Sequence, residues 1–222
     1  RSIMDLGSVV SCLNVLTPPA LAEGWDNVGL LVEPSPPHQV HKLLLTNDLT
    51  EDVLDEAIDT GANMILSYHP PVFKALKRIT QKSWKERLVV KALEKRLAVY
   101  SPHTSCDALA NGVNDWLARA LGHVMLMPVF FPFPESSVSM AAVCAGSGSS
   151  ILSGVPAELY LTGEMSHHDV LDAVAEGRSV VLCEHSNSER GYLQELGGQI
   201  RQALEGQVQV VVSQRDRDPL QV

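Results

Sequence analysis

The stretch K-L-L-L-T-N-D-L-T-E-D-V-L-D-E-A-I-D-T, residues 42–60, decides the fold class. Its first six residues are an apolar run of strand length ending in polar residues. Thr50, placed three residues ahead of Val53, fits the start signal of a helix over 50–60. Working outward, the same succession recurs. A strand is expected over 63–67, a helix over 83–96, a strand over 97–100 and a helix over 112–121. Upstream, residues 5–16 read as a short amphipathic helix stopped by Thr17-Pro18-Pro19. The stretch W-D-N-V-G-L (25–30) reads as a loop, and 33–37 as a proline-rich turn. Strands alternating with helices of about three turns mean crossover units, hence an α/β fold with parallel strand pairs.

Residues 122–138 break this pattern. Three prolines and three of the four phenylalanines crowd there without helical or strand period, which reads as a junction between two halves, 1–121 and 139–222. Strands are expected again over 139–144, 157–161 and 179–183, with a helix over 166–176. A last helix from about Ser188 puts Tyr192, Leu196, Ile200 and Leu204 on one stripe, weakened by Gly197 and Gly198. A strand over 207–212 closes the chain.

Composition narrows the function. At 45% hydrophobic and 19% charged, the 222 residues are those of an ordinary globular protein. The net charge of -9 argues against direct binding to nucleic acid or to an anionic membrane, since both are negative themselves. Cys12, Cys106, Cys144 and Cys183 lie far apart and mostly in apolar surroundings, which suits reduced thiols and a reducing compartment.

Three expected strands end in residues that bind metals. M-I-L-S is followed by Y-H-P-P-V-F, where Pro70 holds His69 on an extended segment. L-A-V-Y leads to His103 and Asp107, spaced by four. V-V-L-C leads to His185 and Glu189, also spaced by four and so on one face if a helix begins there. Ligands of open α/β sheets gather at the carboxyl ends of strands. Imidazole with carboxylate suits Zn, Mn, Fe, Co or Ni better than Ca or Mg. Each group also has a plain reading, as hydrogen-bonded turn residues or as a carboxylate balancing a helix start.

Other groups read more plainly. A-G-S-G-S-S (145–150) is a flexible turn or a phosphate cradle lacking the P-loop lysine. Ser166 explains a helix start beside Glu164, His167 and His168. Asp26, Asn27 and Gly29 make a turn. Lys74, Lys77, Arg78 and Lys82 form a solvated face or an anion site.

Six blocks in order, W-D-N-V-G-L, S-Y-H-P-P-V-F, Y-S-P-H-T-S-C-D, C-A-G-S-G, L-Y-L-T-G-E-M-S-H-H and E-H-S-N-S-E-R-G, resemble the NIF-three-like family, also called the GTP cyclohydrolase I type 2 family, and its animal members most. The resemblance implies a two-half α/β fold of mixed sheets with flanking helices. It implies assembly into dimers, or a hexameric ring, with a metal site whose ligands are His69, Asp107, His185 and Glu189. His103 lies beside them, and His103 or Glu164 would move protons. Bacterial members carry two adjacent histidines where this chain has Tyr68-His69. A neutral phenol is a poor ligand for a divalent ion, so at most about one ion per chain is expected.

By the same resemblance the chain is an interaction protein in transcriptional co-regulation, acting through protein partners, with a degenerate metal site. The alternative is a metal-dependent hydrolase of the GTP cyclohydrolase or phosphoester type. The implied location is cytoplasmic and also nuclear, and a chain beginning at Arg1 leaves a mitochondrial leader open.

Overall fold

The computed structural model describes residues 3–122 and 138–220. The chain divides into two compact units, residues 1–109 with 193–222, and residues 110–192. In the first unit β1 (Met4–Asp5) leads into α1 (Leu6–Leu16), followed by β2 (Gly29–Val32), β3 (Gln39–Val40), β4 (Lys42–Thr46), α2 (Glu51–Asp59), β5 (Met64–Ser67), α3 (Trp84–Glu94) and β6 (Ala98–Ser101). The second unit holds α4 (Val113–Leu121), β7 (Ala141–Ser147), α5 (Ser149–Leu152), β8 (Leu159–Glu164), α6 (His167–Ala175), β9 (Ser179–Leu182) and α7 (Asn187–Arg190). The chain then returns to the first unit through α8 (Tyr192–Ala203) and β10 (Gln209–Val212).

Side-chain caps start the helices where the sequence offers them. Asp5 accepts from the Ser8 amide at 3.0 Å, Thr50 from Val53 at 3.3 Å, Ser83 from Glu86 at 3.2 Å and Ser166 from Asp169 at 3.2 Å. Each satisfies one of the amides a helix start leaves without a partner.

The first unit is built on a five-stranded sheet in the order β10-β4-β5-β6-β2. The first four strands run parallel, and β2 runs antiparallel to β6 with Gly29 opposite Ser101. Leu44, Ile65 and Val99 lie abreast and pack with Val53, Leu54 and Ala57 of α2 and Leu88, Val89 and Ala92 of α3. The alternate residues face the other way. A Cβ on Gly197 of α8 would stand 3.4 Å from Leu45, and the Tyr100 hydroxyl donates to Asn14 of α1 at 3.0 Å. Helices thus cover both faces, which is why β5 and β6 are buried at every residue. Each fully buried leucine or isoleucine here contributes about 1.5–3 kcal/mol of transfer free energy.

The second unit carries a three-stranded parallel sheet in the order β7-β8-β9. Cys144, Leu152, Ala157, Tyr160 and Ala173 form its core. All four cysteines are free thiols, two buried and two half-buried. Among the described residues no helix is long and apolar enough to cross a membrane.

The mixed α/β class and the main elements agree with the sequence reading. The differences are local. The 25–30 loop runs into β2, a strand that needs β6 as partner some seventy residues on. The final helix breaks at Gly191 into α7 and α8. Strand β10 pairs with β4 and so belongs to the first unit, a pairing that a division of the chain at 122–138 does not convey. That junction lies, apart from its two end residues, outside the described residues.

Candidate metal centre

In the first unit the parallel strands deliver Asp48, His69, His103 and Asp107 just past their carboxyl ends. The β4–β5 ladder continues beyond the strands: Tyr68 and His69 donate their amides to the carbonyls of Thr46 and Asn47, at 2.9 and 3.0 Å. Ser67 Oγ donates to the His69 carbonyl at 2.6 Å, and Ser101 Oγ to the Tyr68 carbonyl at 2.9 Å. His69 therefore sits on pinned backbone. Its Nδ1 donates to Asp48 Oδ1 at 2.9 Å.

His103 is anchored in the same way. Its Nδ1 donates to Asp26 Oδ1 at 2.7 Å, and Asp26 Oδ2 accepts from the Thr104 amide at 3.1 Å and hydroxyl at 2.5 Å. Burial pushes the Asp26 carboxyl up, but the Thr104 and His103 hydrogen bonds outweigh it and hold the group below the usual carboxylate range. An anion fixed there makes His103 Nδ1 the donor. His103 itself has φ 33°, a strained left-handed backbone held by these contacts.

The His69 and His103 rings meet edge to face with centroids 5.4 Å apart. Tyr68, 1% exposed, lies edge to face against both, and its hydroxyl reaches Asp107 Oδ1 at 3.4 Å. Asp107 is exposed. The phenol thus occupies the place beside His69 where the family resemblance leads one to expect a second imidazole.

In the second unit His185 follows β9 and Glu189 lies on α7. His185 Nδ1 donates to Glu164 Oε1, at the end of β8, at 2.9 Å, and Nε2 stands 3.5 Å from Glu189 Oε1. Glu189 is 4% exposed, and Glu184, just before the pair, has φ 69°. Gly146 (φ 67°) makes room for the two donors. A Cβ there would fall 2.8 Å from Glu189 Oε1 and 3.1 Å from His185 Nε2. A Cβ on Gly163 would fall 2.6 Å from Ser188 Oγ and 2.9 Å from His185 Cα. Ser188 Oγ in turn accepts from the Gly146 amide at 2.7 Å and donates to the His185 carbonyl at 2.6 Å.

All three histidines therefore present the same chemistry. A carboxylate can only accept, so Nδ1 carries the proton and Nε2 keeps its lone pair, the arrangement typical of imidazoles that bind metals. Donors of this kind could hold a metal ion. Asp26, Asp48, Gly146 and Gly163 were not singled out by sequence as parts of the site. Asp26 was read as a turn residue and Gly146 as part of a flexible turn or phosphate cradle, while Gly163 stands in a quoted block where its neighbours drew the attention.

The Duf34/NIF3 (NGG1p interacting factor 3) family pattern matches residues 4–130 and 123–219. NIF3-like protein 1 of Bos taurus is 37% identical over 352 residues, covering 100% of this chain and 93% of its own length, so it carries insertions this chain lacks. NGG1-interacting factor 3 of Saccharomyces cerevisiae is 32% identical over 281 residues, covering 98% and 97%. Among solved structures, the Bacillus cereus protein related to NIF3 superposes with a TM-score of 0.83 at 19% identity, covering both chains completely. On this match over nearly its whole length, the chain belongs to the Duf34/NIF3 family.

Proposed function

We propose that the chain is a metal-dependent hydrolase whose ion is held by the donors that the family resemblance implies, His69, Asp107, His185 and Glu189. The observation that carries this reading is the three-fold repeat of an imidazole with Nδ1 fixed by a carboxylate: His69 on Asp48, His103 on Asp26, His185 on Glu164. Structural turn histidines need no such uniform tautomer, whereas ligands and general bases do. A divalent ion bound to these donors would bring the pKa of a coordinated water towards neutrality. His103, with Nε2 as its lone-pair nitrogen, takes up and returns a proton. Glu164, expected from sequence as a proton carrier, orients His185 instead, because it is engaged with Nδ1.

The test is elemental analysis of protein purified without chelator, followed by a screen of phosphoesters and nucleotides. The reading expects hydrolysis that chelator abolishes and one added metal restores. Activity indifferent to chelator would overturn it.

A second reading, an interaction protein in transcriptional co-regulation with a degenerate site, is favoured by the name of the yeast relative, NGG1-interacting factor 3. It places the chain in cytoplasm and nucleus, with protein partners and no direct contact with nucleic acid. Metal-loaded protein without any hydrolytic activity, co-purifying with a defined partner, would favour this second reading.

A further inference from the structure

The five-stranded sheet of the first unit ends in β2 on one side and β10 on the other, and the two edges differ. An edge strand exposes a row of backbone donors and acceptors, which proteins guard with charge, proline or a bulge. At β2 the register shifts between Leu30 and Val32, and Glu33 and Pro34 follow at once. The other edge has none of these devices. Q-V-Q-V-V-V-S (207–213) holds no charge and no proline, and β10 pairs with β4 without a register shift.

The ladder shows which groups this edge offers. The Gln209 amide donates to the His41 carbonyl and the Ser213 amide to that of Leu45, both at 2.8 Å. Backbone groups alternate in direction along a strand, so the odd-numbered residues face β4 while the amides of Val210 and Val212 point outward. Among the described residues neither of these two amides has an acceptor. The Val212 carbonyl accepts from Gln214 Nε2 at 3.2 Å, so the opening is centred on Val210.

Beside it a hollow of about 400 Å³ is lined by His41, Arg201 and residues 206–210, with no carboxylate in the lining. A Cβ on Gly197 would stand 3.3 Å from the Arg201 guanidinium and 3.9 Å from Val210 Cγ1, which puts the cation within side-chain reach of the edge. Arg201 is exposed, and its guanidinium has no hydrogen bond or ion pair among the described residues. His41 precedes β4 whereas Asp48 follows it, so the hollow lies at the end of this sheet away from the candidate metal donors. A second copy paired strand on strand would offer this edge only its own uncharged residues 207–213 and leave Arg201 unmatched.

We infer that β10 receives an added strand, an extended acidic segment of a partner protein, hydrogen-bonded to Val210 and Val212 and placing a carboxylate on Arg201. In strand addition the main-chain bonds supply affinity and the side chain entering the hollow supplies selectivity. The inference is independent of the metal centre and of the hydrolytic reading.

Fluorescence anisotropy on the whole chain tests it, with the labelled peptide Ser-Asp-Val-Thr-Val-Asp-Ser as probe. Control peptides carry lysine at both aspartates, or an N-methyl group on every amide. The aspartate peptide should bind at least about threefold tighter than the lysine peptide, the order of one exposed ion pair, and the N-methylated peptide should not bind. Val210→Pro removes an outward amide but no bond to β4, and should weaken the probe about tenfold. Arg201→Glu should turn the preference towards the lysine peptide, and it decides the matter if Val210→Pro does not fold. No binding of the aspartate peptide, equal binding of the N-methylated one, or an unchanged preference in Arg201→Glu would each overturn the inference. So would a Val210→Pro substitution that lowers the light-scattering mass of the chain without peptide, because a second copy would then hold the edge.

Discussion

Asp48 and His69 are joined at 2.9 Å across one strand–helix–strand crossover, Asp48 leaving β4 and His69 leaving β5, and 21 residues separate them. Glu164 and His185 repeat the relation at 2.9 Å and 21 residues, from the end of β8 across α6 to the turn after β9. Adjacent parallel strands joined by a short helix bring a carboxylate and the next strand's imidazole side by side. The fold thereby sets the tautomer of each histidine.

Removing that carboxylate should weaken metal binding with the ligand still in place. Asp48→Ala and Glu164→Ala should each lower affinity about 10–100-fold, measured by competition with a chromophoric chelator. Parental affinity in both variants would dismiss the orienting role.

Gly146 and Gly154 make a controlled pair. Both have positive φ, 67° and 75°, so alanine at either incurs backbone strain of about 1 kcal/mol or more. Nothing lies within 4 Å of a Cβ on Gly154, whereas one on Gly146 meets Glu189 and His185. Urea denaturation should show Gly146→Ala the more destabilising by about 1–3 kcal/mol, the range for overpacking, and only Gly146→Ala should lose metal. Equal effects of the two would show that crowding of the donors is not what Gly146 avoids.

Tyr68 is expected to limit occupancy. The phenol, buried against His69 and directed at Asp107, would take the place of a strong donor. Elemental analysis should give at most about one ion per chain, and Tyr68→His should raise this towards two. Two tightly held ions in the unmodified protein would refute this account.

Glu56 ties α2 to the turn after β10. It accepts from the Ser213 hydroxyl, from the Gln214 amide at 2.8 Å and from the Arg215 amide at 3.1 Å. Burial raises its pKa, but these hydrogen bonds outweigh burial and hold it below its ordinary value of 4.5. A carboxyl depressed by folding stabilises the protein above its unfolded pKa, and that stability is lost as pH falls through 4.5 towards the folded value. Glu56→Gln should cost about 1.5–3 kcal/mol at pH 7, the scale of hydrogen bonds to a charged group, and progressively less below pH 4.5. A gap between variant and parent that stays constant down to pH 3 would contradict this.

The second unit presents apolar side chains to solvent. Leu171 and Val174, on one side of α6, are 51% and 50% exposed, and Leu182 on the neighbouring β9 is 47% exposed. Such a surface suits a second copy of the chain. Light scattering should give at least twice the chain mass of 24.1 kDa, and Leu171→Glu should lower it. A mass of one chain would exclude the dimer expected from the family.

The core alternation was legible because its signals are local: apolar runs at 42–47 and 63–67, and Thr50, Ser83 and Ser166 at helix starts. Strand β2 was not, because G-L-L-V beside a proline-rich turn becomes a strand only when β6 is at hand. The same distinction holds for the site. His69, His103 and His185 show themselves by standing where strands end. Asp26 and Asp48 do not, since which carboxylate faces which imidazole depends on strand order. Gly146 was read as slack or as a phosphate cradle, while its contribution is the absence of a side chain.

The return of β10 to β4 bears on how the protein is made. Residues 110–192 are contiguous and can close their three-stranded sheet as soon as they leave the ribosome. The first unit, although most of it is synthesised earlier, must wait for residues 193–222 before α8 can cover Leu45 and β10 can pair the open edge of β4. Until then Leu43, Leu44 and Leu45 lie on an edge strand, paired on the β5 side alone. Premature termination between Tyr192 and Val212 would therefore damage the unit built from the earlier residues 3–109.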